Sequence, residues 1–150
     1  AGAFPPMIGW AAVSGDVALA SLAMFAIIFL WTPPHFWALS LFVRSDYAAA
    51  NVPMMPVVAG IAATRRQIAI YSVLLAASAM APWWLGLAGS FYGIAAAALG
   101  LVFVAMGFAV ASNRATEPSE MRPEKRLFAF SIVYLFALFA ALVADRWLLA

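Results

Sequence analysis

The chain has 150 residues, of which 67% are hydrophobic and 9% charged, with a formal net charge of +2 and no cysteine. A soluble domain is closer to half apolar and a quarter charged, so a water-facing globule is excluded and lipid is the expected solvent. The lack of cysteine excludes disulfides, thiolate metal sites and a cysteine nucleophile, and a pI near 9.4 that comes from eight Lys and Arg in a few loops reads as membrane topology rather than nucleic-acid binding.

In chain order, Ala1 to Val13 reads as the second half of a spanning helix loosened by Pro5-Pro6, and Ser14-Gly15-Asp16 as a turn. The chain opens on AGAFPPMIGW with no basic leader, and we read it as the C-terminal part of a longer protein. Val17 to Val43 is an apolar run of about 27 residues, enough to span with tilt. Arg44 to Arg66 is a polar, proline-punctuated connection whose patch MMPVVAGIAA suits the interface. Gln67 to Leu87 is the next span, with Trp83-Trp84 at its far end where an aromatic belt is expected. Tyr92 to Ala111 is another. Ser112 to Arg126 is a mixed-charge loop, and Leu127 to Ala144 is the last span, closing at Asp145-Arg146-Trp147. The fold class is therefore all-α: a polytopic membrane helical bundle of about four full transmembrane helices plus one partial.

Arg44, Arg65 and Arg66 fall in one connection, and Arg114, Arg122, Lys125 and Arg126 in another two spans away. Loops rich in Lys and Arg stay in the cytoplasm, which puts residues 44–66 and 112–126 on that side. Gly93, Gly100 and Gly107 recur every seven residues. They allow close helix packing in lipid or room for a flat ligand.

The chemistry concentrates between Leu30 and Pro56. His35 is the only histidine, Asp46 lies eleven residues further on, and Pro33-Pro34 interrupt the apolar run. Eleven residues of continuous helix make about three turns and roughly 16 Å, which would place His35, Leu39, Phe42 and Asp46 on one stripe. Such a stripe runs from an imidazole at depth to a carboxylate at the water interface. Two readings fit His35: a ligand or catalytic group, as intramembrane ionisable residues often are, or a hydrogen bond between helices. Asp46 is either a metal-binding carboxylate completed by other groups or a solvated acid beside Arg44. Arg65 and Arg66 are either a clamp for a diphosphate or topology markers. No Gly-rich phosphate loop, H-E-x-x-H, G-x-S-x-G or paired-carboxylate arrangement is present.

The strings AGAFPPMIGWAAVSG, FLWTPPHFWALSLF, DYAAANVPMMPVVAG, TRRQI and RLFAFSIVYLFALFAALVAD resemble successive blocks of the protohaem IX farnesyltransferase (haem O synthase) family. That family lies within the UbiA-type intramembrane prenyltransferases. The resemblance covers essentially the whole chain and matches the C-terminal half of a fold of about nine spans around a central cavity. It implies transfer of a farnesyl chain from farnesyl diphosphate to the vinyl group of haem B, giving haem O and diphosphate. It also implies magnesium (Mg2+) held on the diphosphate between two Asp-rich motifs. Asp46 falls in the second motif; the first would lie in the other half. On this resemblance Asp46, His35 and Tyr47 are the catalytic candidates, with Asp46 the metal ligand. Arg65, Arg66, Asn51, Trp31 and Phe36 are the substrate-binding ones.

The resemblance further implies the bacterial inner membrane, and contact with the terminal oxidase assembly or haem A synthase. The chain departs from the pattern at Ala50 and Ser45, where relatives often carry a further acid. Metal binding by these residues then rests on Asp46, and the 150 residues alone are expected to be inactive. Rival readings are a UbiA-type enzyme acting on a quinone precursor or chlorophyll-like ring, against which W-T-P-P-H argues, and a non-catalytic haem-binding or transporter-like membrane protein.

Overall fold

The computed structural model describes residues 2–148. The elements among them are all helical: α1 (Pro5–Ser14), α2 (Leu19–Phe42), α3 (Arg44–Ala49), α4 (Met55–Val58), α5 (Ile61–Ala79), α6 (Ala81–Trp84), α7 (Ser90–Ser112) and α8 (Arg122–Leu148). Four stretches are long and apolar enough to cross a membrane: Leu19–Phe42, Ile61–Trp84, Ser90–Ser112 and Arg122–Trp147. At 1.5 Å per residue a 24-residue helix such as α2 is about 36 Å long, more than the roughly 30 Å hydrocarbon core. Helix α1 is shorter, with ten residues, and ends where Gly15 takes the left-handed conformation (φ 76°) and donates back to the Ala11 carbonyl.

Helix α2 packs on α5 and α8, and α7 closes the ring by packing on the same two, while α1 leans on α2. Polar ties fix the directions. The start of α5, the end of α7 and the start of α8 meet through Arg65, Asn113 and Glu124. At the opposite end Asp145 of α8 accepts from the backbone of Gly89 and Tyr92 at the start of α7, and the Tyr92 hydroxyl donates to Ala79 at the end of α5. The bundle is thus up-down-up-down.

Buried positions recur every seven residues in all four long helices. They are Ile27, Pro34 and Leu41 on α2; Ile68 and Leu75 on α5; Gly93, Gly100 and Gly107 on α7; and Leu127, Tyr134 and Ala141 on α8. That period is the seam of left-handed helix packing. Large apolar residues such as Ile94, Leu101, Phe136 and Val143 face outward, as lipid allows. The glycine stripe serves packing: a Cβ at Gly93 would lie 2.9 Å from the Trp83 ring, at Gly100 3.2 Å from Ala76 Cβ and at Gly107 2.8 Å from Ser72 Cβ.

The structure departs from the sequence reading where it bears on the candidate residues. Helix α5 starts at Ile61, so Arg65 and Arg66 lie inside it rather than in a loop. Helix α8 starts at Arg122, with Pro123 and Glu124 in its first turn, the usual chemistry of a helix start. Helix α2 runs unbroken through Pro33 and Pro34 but stops at Phe42, where Val43 leaves helical angles (φ −117°, ψ 22°). The continuous helix expected to carry His35 and Asp46 on one stripe therefore does not form.

Candidate functional site

His35 sits on the seam between α2 and α8. Its Nδ1 is 2.6 Å from Ser131 Oγ, and one turn earlier Trp31 Nε1 donates to the Ser131 backbone oxygen at 2.8 Å. The imidazole stacks on Trp31 (centroids 4.2 Å apart, 18° between planes) and on Phe128 (4.8 Å, 24°), with Phe36 edge-on at 5.2 Å. The four-residue step from Trp31 to His35 and the three-residue step from Phe128 to Ser131 put each pair on one face of its helix. The aromatic run continues from Phe128 to Phe42 at 6.0 Å, and Lys125 Nζ lies 5.8 Å above the Phe42 ring. Trp31, His35, Phe128 and Phe42 are all half-buried and Phe36 is exposed. The seam therefore carries a continuous row of aromatic rings around the imidazole, with an ammonium at its end. The interhelical hydrogen bond of His35 exists, and it leaves Nε2 without a hydrogen-bond partner among the described residues.

Asp46 lies in the first turn of α3, a six-residue elbow where a carboxylate favours the helix dipole. Its side chain is exposed, with Ser45 Oγ at 3.4 Å. Tyr47 is half-buried on the same elbow. Asn51 has φ 53° and ends the helix: its N–H donates to Ala48 O and the Val52 N–H to Tyr47 O, a Schellman closure with Asn at the left-handed position. Among the described residues no three His, Cys, Asp or Glu gather in a metal-binding group. The donors therefore fit one protein ligand of a magnesium ion whose remaining oxygens come from phosphate, water or other carboxylates; they do not make a complete site.

The structure does not bring Arg65 and Arg66 together as a clamp. Arg65 is 4% exposed and every guanidinium nitrogen is engaged. Nε donates to Glu124 Oε1 at 2.8 Å, Nη1 to Asn113 O at 2.7 Å and Nη2 to Ala115 O at 2.8 Å. It ties α5 to the α7–α8 connection. Arg66 is exposed and lines an apolar groove with Ala69, Ile70, Val73 and Phe108 between α5 and α7, away from the α2–α8 seam. Arg44 was read only as a topology marker. It is half-buried at the start of α3, and its Nη1 is buried without a partner among the described residues. Ser131 and Phe128 were missed too; the available signal was a serine inside the last span at three-residue spacing from an aromatic.

The sequence pattern of the UbiA prenyltransferase family matches residues 1–133. The chain belongs to that family. It is similar to proteins named Protoheme IX farnesyltransferase from Erythrobacter litoralis (61% identical over 148 residues, 99% of this chain and 48% of the relative) and Novosphingobium aromaticivorans (58% over 146 residues, 97% and 48%). Protoheme IX farnesyltransferase 1 of Mesorhizobium japonicum is 59% identical over 145 residues, 97% of this chain and 46% of the relative. The chain spans about half the length of the curated relatives it matches. No solved structure matches it significantly. With four membrane-crossing stretches, this UbiA family member is an integral multi-pass membrane protein.

Proposed function

We propose that the chain is the C-terminal half of an intramembrane enzyme that transfers farnesyl from farnesyl diphosphate to a vinyl group of haem B, giving haem O and diphosphate. The observation that carries this reading is the 61% identity along 99% of the chain to a protein named for that activity. The site chemistry supports it: a row of aromatic rings around an imidazole on the seam, and an exposed carboxylate on the same six-residue elbow as Arg44, whose Nη1 has no partner among the described residues.

Breaking the allylic C–O bond sends an electron pair to the diphosphate, and that charge must be neutralised where it develops. Asp46 would hold magnesium, which when bound supplies charge neutralisation to the leaving group. Arg44, whose Nη1 has no partner among the described residues, would donate to phosphate oxygen from the same elbow, with Tyr47 and Asn51 holding the elbow's shape. Arg66 would act only through a change in its direction. The farnesyl carbon then bonds to the haem vinyl carbon, and water adds to the resulting cation with loss of a proton. The apolar seam around Trp31, Phe36 and Phe128 keeps bulk water from the first cation.

The basic residues Arg44, Arg65, Arg66, Arg114, Arg122, Lys125 and Arg126 cluster at one end of the bundle, which by the positive-inside tendency would face the cytoplasm of a bacterial inner membrane. A membrane-held product favours hand-over to the terminal oxidase assembly or haem A synthase in the same bilayer.

The test is Asp46→Ala in the full-length protein. Haem O formation should fall by at least about a hundredfold, while the absorbance change on adding haem B persists. Turnover within a few-fold of the parent would reject the metal-site role.

A further inference from the structure

The hydrogen bonds around His35 decide which of its ring nitrogens carries the proton. Ser131 Oγ donates to the Phe128 carbonyl oxygen at 2.6 Å. A serine hydroxyl has one proton, so at its other 2.6 Å contact Ser131 Oγ must accept, and Nδ1 of His35 must donate. A neutral imidazole carries one N–H. Nε2 then holds a lone pair, on a half-buried ring whose Nε2 has no hydrogen-bond partner among the described residues. The stacking of Trp31 and Phe128 on the imidazole fixes the plane in which that lone pair lies. The Trp31 indole N–H donates to the Ser131 backbone oxygen, a second and separate tie between the same two helices.

We propose that Ser131 is a positioning residue that locks His35 as the Nδ1–H tautomer, so that Nε2 is presented as an electron-pair donor to the iron of a haem. The assignment of Ser131 stands on geometry alone; only the identity of the acceptor rests on the function proposed above. Free histidine favours the opposite tautomer, so the serine does thermodynamic work. Donating Nδ1–H to a fixed acceptor orients a histidine and raises the basicity of its distal nitrogen, as happens behind most metal-bound imidazoles.

The test uses 15N-histidine NMR on the full-length protein in lipid, with His35 assigned by difference against His35→Gln. The parent should show a pyrrole-type Nδ1 and a pyridine-type Nε2. Ser131→Ala should shift the population toward Nε2–H, and Ser131→Thr, which keeps the hydroxyl, should restore the parent pattern. Trp31→Phe removes the neighbouring tie between the same helices but not the hydroxyl, and should leave the tautomer unchanged; this separates loss of the acceptor from loss of packing. An Nε2–H tautomer in the parent, or one unmoved by Ser131→Ala, would overturn the proposal. Titration with ferric haem B is the second readout: Ser131→Ala should weaken the His35-dependent spectral change by about tenfold. The expected tautomer shifts together with a haem spectrum indifferent to His35→Gln would uphold the role of Ser131 in setting the tautomer and sink the haem-ligand reading instead.

Discussion

Glu124→Gln tests what holds the basic end of the bundle together. Glu124 is fully buried and Arg65 nearly so, and they form the ion pair that joins α8 to α5. Glutamine keeps the shape and removes the charge. Stranding one member of a buried pair costs about 3–5 kcal/mol. Here Arg65 keeps the Asn113 and Ala115 carbonyls, which stay favourable to a cation, so the lower end applies: about 3 kcal/mol, or roughly a hundredfold in the unfolding equilibrium. Two Asn113 Nδ2 contacts to the carboxylate, at 3.1 and 2.9 Å, weaken in the same variant, so the α7–α8 connection should loosen with the helix start. Reversible unfolding in mixed micelles, followed by far-ultraviolet circular dichroism, reads the change as a lower midpoint at unchanged slope. Adding Arg65→Met removes the stranded charge and should recover part of the loss. A Glu124→Gln protein within about 0.5 kcal/mol of the parent, or a double variant as unstable as the sum of its singles, would refute the account of this pair as a charge lock.

Two further pairs of substitutions probe the helix packing and the elbow. Gly107→Ala places a Cβ 2.8 Å from Ser72 Cβ, a clash no side-chain rotation relieves. Gly9→Ala, where a new Cβ meets nothing within 4 Å, gains the same helix propensity without it. Gly107→Ala should therefore be less stable than Gly9→Ala by about 1–3 kcal/mol, and equal midpoints in the micelle assay would remove the close α5–α7 contact from the argument. Asn51→Gly should leave the elbow intact, whereas Asn51→Val, forced to φ 53°, should cost about 1–2 kcal/mol and speed exchange of the Val52 amide bonded to Tyr47 O at 2.9 Å. A protected Val52 amide in Asn51→Gly alongside lost turnover would mean that the Asn51 side chain touches substrate rather than only ending the helix.

The spans were legible because hydropathy alone sets them, and the heptad glycines were legible as close packing because only glycine lacks a Cβ. Their ends were less so. Charge near a span reads as loop, yet Arg65 enters the second turn of α5 because Glu124, fifty-nine residues away, neutralises it. The last span was drawn from Leu127, although the start of α8 was readable from Pro123 and Glu124, a proline and an acid opening an apolar run. The stop at Val43 was not, since Leu41-Phe42-Val43-Arg44 carries no glycine or proline, and the eleven-residue step to Asp46 was given a helix it does not have. Spacing put His35 on a stripe with Leu39 and Phe42; that Trp31 and Ser131 both meet it follows from packing, because local period names a face and not the neighbour on it.

Helix α8 shows why those partners matter together. Glu124, Ser131 and Asp145 lie on one seven-residue stripe, with Leu138 filling the remaining step, and all four are buried. Each polar member meets a different element: Glu124 meets Arg65 of α5, Ser131 meets His35 of α2, and Asp145 meets the backbone at the start of α7. The neighbouring stripe of Leu127, Tyr134 and Ala141 constrains register only through side-chain volume. The polar stripe does more. Sliding α8 by seven residues would bring Ser131 to Arg65 and Leu138 to His35, leaving a buried cation and an imidazole unmatched in a medium without water to satisfy them. Register is thus set by three polar contacts at different depths. The contact in the middle of the stripe is the one that orients His35, so the device that aligns the bundle also aims its imidazole.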